Sequence, residues 1–264
     1  PIAHIHGGEI TEGAFDEAIR HSVTKMSHLH FVSNDVYRKR VIQLGELPCN
    51  VHTVGGLGVD VLKRTQILPK KVLEKSLGFS FLDKNLLVTL HPVTLNETNF
   101  DKETKELLHA LSEFNDTNII ITLPNADPGN QSIRKQMKDF AAYNPNAKTY
   151  ESLGNEVYLS CLANVDGVIG NSSSGITEAP SLKTATVNVG DRQKGRLMAS
   201  SIIHCNFEKN EIKSSIEKIF SQKFKIQLNN TINPYGDGGA TRKIFEVLKT
   251  VKLKGIIKKA FYDL

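Results

Sequence analysis

Acidic and imidazole side chains gather directly after the first apolar run of the chain. His6 ends that run, two glycines and Glu9 follow, and Asp16 and Glu17 stand at the start of the next helical pattern. Carboxylates and histidines that converge on a gap can move protons to and from a substrate. The alternative is structural: Asp16 and Glu17 favour a helix N-terminus, and Arg20 pairs with Asp16 one turn later.

A turn rich in serine and glycine follows the apolar run 167–170 and passes directly into a helical pattern. The first amides of a helix have no intrahelical partner and lie at its positive end, so Ser172 and Ser173 predict a phosphate site. Glu178 stands one turn further into this helix, where a carboxylate can accept sugar hydroxyls. In the alternative interpretation the serines only cap the helix.

Three further polar clusters follow apolar runs. His91 precedes a proline, and a phosphate contact and a structural histidine are equally good interpretations of it. Asn125 and Asp127 are placed to contact a sugar or a base, although their neighbours are ordinary turn formers. Arg192 begins a run of three cations among glycines that suits a diphosphate, with a solvated loop as the alternative.

Short runs rich in valine and isoleucine alternate with helical patterns, which predicts an α/β fold with parallel sheets covered on both faces. The predicted strands are Ile2–His6, Leu29–Val32, Val51–Val54, Leu86–Leu90, Asn118–Leu123, Lys148–Glu151, Gly167–Ile169, Thr186–Val189 and Ser201–His204. The predicted helices are Phe15–Ser27, Asp35–Leu44, Lys102–Phe114, Gln131–Tyr143, Glu156–Asn164, Asn210–Phe220 and Thr241–Thr250. Ligands of such sheets bind beyond the carboxyl ends of the strands, where all the polar clusters lie.

The glycine-rich stretch 54–58 predicts a hinge between two domains. Residues 59–240 hold enough strands for a complete doubly wound domain, whereas residues 1–58 hold about half of one. The run Ile2–His6 has the pattern of a buried strand, and a domain rarely starts inside one. We therefore expect the N-terminal domain to be incomplete in this chain.

The composition excludes several classes of protein. No apolar run reaches membrane-spanning length, and no signal sequence opens the chain. The three cysteines are widely spaced and fit no metal pattern, which favours reduced thiols and a cytoplasmic location. The net charge of +5 is matched by the surplus from Arg242 onward, where apolar residues recur at helical spacing. We interpret this end as a solvated helix face and expect neither nucleic acid nor a membrane as partner.

Common nucleotide-binding and hydrolase signatures are absent from the sequence. No Gly-x-Gly-x-x-Gly follows a predicted strand, and no Walker-type Gly-Lys-Ser/Thr occurs. The serine turn lacks the first glycine of a nucleophile elbow. A dinucleotide-binding fold is therefore disfavoured.

Taken in order, these clusters resemble the hydrolysing UDP-N-acetylglucosamine 2-epimerases of sialic-acid precursor synthesis. The matching segments are PIAHIHGGEITEGAFDEAIRHSVTKMSHLHFVS, VTLHPVT, LPNADPGN, GVIGNSSSGITEAPSL, VNVGDRQKGR and NPYGDGGAT. The resemblance implies two Rossmann-like domains in a glycosyltransferase-B-like arrangement, with the substrate in the cleft between them. It implies that residues 241–264 form a helix that crosses back to the N-terminal domain, and that the full-length protein is a dimer or tetramer.

The resemblance also implies a reaction. UDP-N-acetylglucosamine loses its C2 proton and its anomeric UDP to give a 2-acetamidoglucal, and water then adds to release N-acetylmannosamine. No cofactor and no metal are implied. Members of the family carry a phosphate loop and a further catalytic aspartate ahead of the segment where this chain starts, so we expect the fragment alone to be inactive or nearly so.

The family pattern implies a role for each candidate residue. The acid/base group comprises Glu9, Asp16, Glu17 and the neighbouring His6. The groups that bind the nucleotide sugar are His91 and Arg192, the pair Ser172 and Ser173 for phosphate, Glu178 for the ribose, Asn125 and Asp127 for the sugar or nucleotide, and Ser152 for the uracil.

Four alternatives stay open. The same motifs suit a hydrolysing 2-epimerase for a GDP- or UDP-linked diacetamido-trideoxy sugar. They also suit a non-catalytic nucleotide-sugar-binding module. A non-hydrolysing 2-epimerase is disfavoured by the stretch HIHGGE, and a glycosyltransferase leaves the acidic cluster after His6 unexplained.

Overall fold

The structure is a computed structural model that describes residues 1–12, 16–92, 100–124 and 130–264. The strands are β1 (Ala3–Ile5), β2 (Leu29–Val32), β3 (Val51–Thr53), β4 (Lys84–Thr89), β5 (Thr117–Thr122), β6 (Ala147–Tyr150), β7 (Gly167–Gly170), β8 (Ala185–Val189) and β9 (Ile202–Cys205). The helices are α1 (Asp16–Met26), α2 (Asp35–Gln43), α3 (Leu57–Arg64), α4 (Lys70–Leu77), α5 (Phe100–Leu111), α6 (Asn130–Tyr143), α7 (Gly154–Asn164), α8 (Ser174–Thr177), α9 (Lys209–Phe220), α10 (Gln222–Leu228) and α11 (Ala240–Thr250).

The strands form two parallel sheets. The first has the order β1-β2-β3 and the second the order β6-β5-β4-β7-β8-β9. The strand order of the second sheet reverses between β4 and β7. These two strands are paired side by side, with Val88 of β4 opposite Ile169 of β7. A crevice for a ligand opens at such a reversal, beyond the carboxyl ends of the strands.

Each predicted strand is present, with ends within two residues of those expected. In the six-stranded sheet, successive residues of one strand enter two different apolar clusters. Leu86 and Val88 pack on one face of the sheet, and Leu87 packs on the other. Because side chains alternate along a strand, an uninterrupted apolar run is what a sheet covered on both faces requires.

Strand β1 differs from its prediction as a buried strand. Within the described residues β1 pairs only with β2, at the edge of the three-stranded sheet, and Ala3 and Ile5 are exposed. Burial depends on what covers a strand, which the pattern of a single run does not specify.

Helix α3 begins inside the stretch 54–58, which the sequence analysis treats as a glycine-rich hinge. Its residues Val59 and Leu62 are buried, and so is Asp60. The Asp60 carboxylate accepts hydrogen bonds from the backbone amides of Ala240 (3.0 Å) and Thr241 (2.7 Å), the first residues of α11. Glycine content obscured this helix, because glycine lowers helix propensity in any residue-by-residue prediction.

Helix α11 packs against the three-stranded sheet. Its residues Ala240 and Ile244 share an apolar cluster with Leu29 and Phe31 of β2. The other side of the helix, including Phe245, is exposed. The chain after α11 also returns to the N-terminal region, where Lys259 donates hydrogen bonds to the Glu46 carboxylate and to the carbonyl of Ser27.

Glu46 is buried and contacts the buried His30 and two more exposed lysines, Lys25 and Lys259. His30 is completely buried and its Nε2 lies 3.0 Å from the Glu46 carboxylate. Burial lowers the pKa of His30 from 6.5 to about 4, against the opposing effect of Glu46. His30 is therefore neutral in the folded chain at neutral pH.

We expect His30 to make folding stability depend on pH. Its pKa is lower in the folded than in the unfolded chain, so the unfolded chain binds the proton first and stability is lost as the pH falls from 6.5 towards 4. The free energy of unfolding should be about 2 kcal/mol lower at pH 5 than at pH 7 through this group. Urea unfolding at both pH values measures it, and His30→Gln should remove this part of the pH dependence.

The control is His109→Gln, which replaces an exposed histidine on α5 by the same residue. It should leave the difference between pH 5 and pH 7 as in the parent chain. An equal pH dependence in the parent and in His30→Gln would contradict the assignment.

Candidate active site

His6 turns from the end of β1 into the space between the two sheets. Its backbone adopts a φ of 65°, and its Nδ1 lies 2.8 Å from Oε1 of Glu9. The backbone amide of Leu57, the first residue of α3, donates to the other ring nitrogen, Nε2, at 3.3 Å. A nitrogen that accepts a hydrogen bond carries no proton, so the proton of the neutral ring is on Nδ1 and is donated to Glu9.

Glu9 is buried, and its second carboxylate oxygen pairs with Arg196 at 3.1 Å. Burial raises the pKa of Glu9, but the hydrogen bond from His6 and the positive charges of Arg196 and Arg20 outweigh burial, so that the net pKa is lowered. Glu9 is therefore ionised at neutral pH. A buried carboxylate in this state can act as a general base.

Glu17 and Asp16 occupy different surroundings although they are neighbours in α1. Glu17 accepts hydrogen bonds from the backbone amide of Thr11 (2.7 Å) and from Arg20 (3.2 Å), and it also pairs with His21. The predicted pairing of Arg20 with Asp16 is wrong, because Arg20 binds Glu17 and the Thr11 hydroxyl instead. Adjacent residues of a helix point in different directions, and Asp16 lines a cavity.

Two adjoining cavities open between the sheets, with volumes of about 280 Å³ and 160 Å³. Arg20, Ser173 and Arg196 belong to the walls of both cavities, and we refer to the two cavities together as the hollow. The walls of the larger cavity also contain His6, Glu9, Gly56, Gly58, Val59, Thr177 and Glu178. The walls of the smaller cavity also contain Thr11, Asp16, Arg192 and Gln193.

The serine turn contributes Ser173 to both cavities, but the helix after it is short. Helix α8 has four residues and ends at Thr177, so the predicted placement of Glu178 inside a helix is wrong. A helix of a single turn adds little dipole to a phosphate site. The turn therefore offers hydroxyls and amides more than a helix field.

Ser172 and Ser173 face different surroundings. The Ser172 hydroxyl lies 3.3 Å from that of Ser174, which in turn hydrogen-bonds the Tyr158 hydroxyl of α7. The Ser173 side chain makes no capping hydrogen bond. The capping interpretation is thus not supported for Ser173, whose side chain is exposed at the hollow.

Glu178 lies beside Gly58 of α3. A Cβ atom built on Gly58 would stand 2.1 Å from Oε1 of Glu178, so the carboxylate occupies the space that a side chain would fill. Burial raises the pKa of Glu178, against a hydrogen bond from the Thr177 hydroxyl and the more distant charge of Arg196. Gly58 thus gives Glu178 access to the larger cavity.

Asn171, at the tip of β7, connects His91 to the cationic loop. Its side chain accepts a hydrogen bond from the backbone amide of His91 (2.7 Å) and donates one to the carbonyl of the same residue (2.8 Å). Its own carbonyl accepts from Arg192 (3.0 Å) and Gln193 (2.9 Å). Asn171 therefore holds the ends of β4 and β8 together at the strand-order reversal.

The remaining predicted residues lie elsewhere. Ser152 is exposed in the turn before α7, where its hydroxyl accepts a hydrogen bond from Gly154. Asn125 and Asp127 lie outside the described residues, so their roles stay predictions. The structure thus places His6, Glu9, Ser173 and Glu178 on the larger cavity, and Asp16, Arg192 and again Ser173 on the smaller one.

Sequence reasoning did not select Arg20 or Arg196 as site residues. Arg196 was included only as one of three cations that suit a diphosphate, with a solvated loop as the alternative. Arg20 was noted beside the acidic cluster and, in the structural alternative, as a partner of Asp16. The contact between Glu9 and Arg196 joins residues far apart in the chain, which no local pattern specifies.

The described parts of the chain contain no group of three or more histidine, cysteine, aspartate or glutamate residues arranged to hold a metal ion. No helix within those same parts has the length and apolar character needed to cross a membrane. All three cysteines are free, with Cys161 and Cys205 buried and Cys49 exposed.

Comparisons with known proteins connect this chain to one family. A family model described as UDP-N-acetylglucosamine 2-epimerase matches residues 1–249. A Campylobacter jejuni protein named GDP/UDP-N,N'-diacetylbacillosamine 2-epimerase (hydrolyzing) is 45% identical, over 100% of this chain and 69% of its own length. The Escherichia coli polysialic acid biosynthesis protein P7 is 41% identical, over 100% of this chain and 68% of its own.

A solved structure supports the fold assignment. The crystal structure of UDP-GlcNAc 2-epimerase from Neisseria meningitidis bound to UDP-GlcNAc matches with a TM-score of 0.81 and 20% identity, over 95% of this chain and 70% of that chain. The predicted α/β class with two Rossmann-like parts of glycosyltransferase-B type is confirmed. The chain belongs to the UDP-N-acetylglucosamine 2-epimerase family.

Proposed function

We propose that the natural polypeptide containing these residues is a hydrolysing nucleotide-sugar 2-epimerase. Its substrate is a UDP-linked 2-acetamido hexose, with UDP-N-acetylglucosamine as the first candidate and N-acetylmannosamine and UDP as products. The observation that carries the proposal is the ionised carboxylate of Glu9, which shares one hollow with Arg20, Arg196, Ser173 and Glu178.

The chemistry needs a base beside C2 and cations beside the diphosphate. The C2 proton of the sugar is only weakly acidic, so departure of UDP must run ahead of its removal. Positive charge already in place at the leaving diphosphate then lowers the barrier directly. Arg20, Arg196 and Arg192 supply that charge in this proposal, and Glu9 with Asp16 handles the protons.

The other predicted residues have the following proposed roles. Ser173 and Ser172 donate to phosphate, and His91, held by Asn171, contacts the diphosphate. Glu178 accepts the ribose hydroxyls, while Glu17 holds Arg20 and the Thr11 amide in place. The roles of Asn125 and Asp127 and the uracil contact at Ser152 remain predictions from the family pattern.

A second candidate substrate is a diacetamido-trideoxy sugar linked to UDP or GDP. The printed name of the 45% identical relative from Campylobacter jejuni favours it. A Legionella pneumophila protein named UDP-N,N'-diacetylbacillosamine 2-epimerase (hydrolyzing), 32% identical, favours it as well. The ionised Glu9 and the arginines suit both sugars, because the two sugars differ only at ring positions other than C1 and C2.

The domain division at residues 58 and 240 and assembly into a homo-oligomer are further proposals. The packing of α11 against β2 supports a C-terminal segment that crosses to the N-terminal sheet. Light scattering of the natural polypeptide would measure its oligomeric state.

We expect turnover to release free sugar and UDP. The natural polypeptide is incubated with each sugar nucleotide in D₂O and in H₂¹⁸O, and the products are followed by NMR and mass spectrometry. Because the C1–O bond breaks and C2 is reprotonated from solvent, deuterium should appear at C2 and ¹⁸O at C1 of the free sugar, with none in UDP.

Three outcomes would contradict the proposal. An epimerised sugar that stays linked to UDP would indicate a non-hydrolysing 2-epimerase. Tight UDP binding without turnover of any of the three nucleotide sugars would indicate a binding module. Transfer of the sugar to another acceptor would indicate a glycosyltransferase.

A further inference from the structure

Two buried tyrosines form a closed hydrogen-bonded ring with Leu197. The backbone amide of Leu197 donates to the Tyr37 hydroxyl at 3.1 Å, and the Tyr235 hydroxyl donates to the Leu197 carbonyl at 3.2 Å. The two hydroxyls lie 3.1 Å apart. Each hydroxyl has one proton, and that of Tyr235 is already used, so Tyr37 donates to Tyr235 and the ring is complete.

The ring joins three separate parts of the chain. Tyr37 belongs to α2, which packs on the three-stranded sheet, and Tyr235 lies in the segment that leads into α11. Leu197 lies in the loop between β8 and β9 of the six-stranded sheet. Both tyrosines are completely buried in one apolar cluster, and the carbonyl of Tyr235 also accepts a hydrogen bond from Gly56 (2.7 Å).

Leu197 directly follows Arg196, the cation that pairs with Glu9. Fixing both backbone groups of Leu197 fixes the point from which the Arg196 side chain starts. On the other side of Arg196, a Cβ on Gly195 would stand 2.4 Å from the Ile10 side chain, so the loop lies close against the segment that carries Glu9. The hydrogen-bonded ring therefore fixes the backbone immediately after Arg196.

We propose that Tyr37 and Tyr235 are positioning residues that hold Arg196 against Glu9 across the gap between the two sheets. The catalytic meaning of this contact rests on the proposed function, whereas the contact itself does not. A misplacement of about 1 Å at a reacting group can cost about a hundredfold in rate. The ring therefore couples the packing of the two sheets to the ionisation of Glu9.

Removing one hydroxyl breaks the ring at a defined place. In Tyr37→Phe the Leu197 amide loses its acceptor inside an apolar cluster, and in Tyr235→Phe the Leu197 carbonyl loses its donor. A buried polar group without a partner is costly, so the loop must shift to reach water or another partner. Arg196 shifts with the loop and its charge moves away from Glu9.

The ionisable groups that face Glu9 are His6, Arg196, Arg20 and Tyr235. Tyr235 stays neutral, because burial raises its pKa far above the usual value. Loss of the Arg196 charge alone leaves His6 and Arg20 in place. The expected change in Glu9 is therefore partial, and it has a definite sign: its pKa rises.

The first experiment measures the ionisation of Glu9 directly. The Glu9 carboxyl resonance of the ¹³C-glutamate-labelled natural polypeptide is assigned with Glu9→Gln and titrated by NMR, without any substrate. An opposite charge within about 4–6 Å lowers a carboxyl pKa by about 1–3 units. We expect Arg196→Met to raise the Glu9 pKa by about one unit, and Tyr37→Phe and Tyr235→Phe to raise it by about half a unit.

The control is Tyr262→Phe, which removes a hydroxyl next to the same apolar cluster but outside the ring. It should leave the Glu9 pKa unchanged. Thermal denaturation of each variant shows whether it is folded, and if Tyr37→Phe is not, Tyr235→Phe is analysed in the same way because it leaves the acceptor of the Leu197 amide intact.

The second experiment tests whether the tyrosines act through Arg196. Tyr37→Phe is combined with Arg196→Met, in which the charge to be positioned is absent. We expect no additional rise of the Glu9 pKa in the double variant, and a fall of about tenfold in kcat/KM for Tyr37→Phe alone on whichever nucleotide sugar is turned over.

An unchanged Glu9 pKa in both folded tyrosine variants would overturn the proposal, and so would a full additional rise in the double variant. The NMR titration needs no turnover, so failure of the proposed function leaves its result interpretable. Conversely, normal catalysis with an unchanged Glu9 pKa in the variants would refute only the positioning role.

Discussion

Glu9→Gln is expected to lower kcat for the nucleotide sugar by about a thousandfold, the range in which positioned acid/base groups contribute. The amide has nearly the same shape and can still contact His6 and Arg196, but it cannot take up a proton. The affinity for UDP should change little, because the loss concerns the step at C2. Steady-state kinetics and calorimetric titration of UDP measure the two quantities on the same preparation.

The matched control is Glu12→Gln, the same substitution three residues away. Glu12 is exposed and pairs with Lys194 at 3.6 Å across water-accessible surface, a contact of little energetic value. Its kcat should equal that of the parent protein. Glu9 would lose its role as the base if Glu9→Gln kept more than about a tenth of the parent kcat, since a lost base costs at least about a hundredfold.

Gly58→Ala is expected to weaken UDP binding by about tenfold to a hundredfold, the effect of losing a hydrogen bond to a charged group. A methyl group at this position would stand 2.1 Å from the Glu178 carboxylate, which must therefore move. Alanine favours a helix over glycine by about 1 kcal/mol, so helix α3 itself is not weakened. Calorimetric titration of UDP and thermal denaturation separate binding from stability.

Glu178→Ala and the double variant Gly58→Ala/Glu178→Ala complete this test. If Gly58 matters only because it leaves room for Glu178, the double variant should bind UDP no more weakly than Glu178→Ala alone. Val61→Ala, on the exposed side of the same helix, should bind UDP as the parent does. Additive losses in the double variant would show that Gly58 acts in another way.

The element order was predictable because burial leaves a strong pattern in short strands. Runs such as Ile119–Ile121 are apolar at every position, and helical spacing separates them, so a doubly wound parallel sheet followed from local information. The three helices that were not predicted, α3, α4 and α10, have at most eight residues. In such short elements packing decides more than propensity does.

The candidate site was predictable as a set of clusters that follow strands and not as a set of contacts. His6 and Glu9 were selected because they follow β1 of the three-stranded sheet, and Ser173 and Glu178 because they follow β7 of the six-stranded sheet. The structure places both pairs on the larger cavity. Which of two neighbours faces the hollow was not predictable. Ser172 is turned towards Ser174 while Ser173 lines both cavities, a difference set by the conformation of the turn.

The sequence alone determined the alternation of strands and helices and the parallel arrangement of the sheets, because these follow from periodicity and from the properties of single residues. Only the tertiary structure decided that Arg196 pairs with Glu9 and that Gly58 makes room for Glu178. Both facts are distances between segments far apart in the chain. Such distances depend on how the two sheets pack together, and packing is a property of the whole fold.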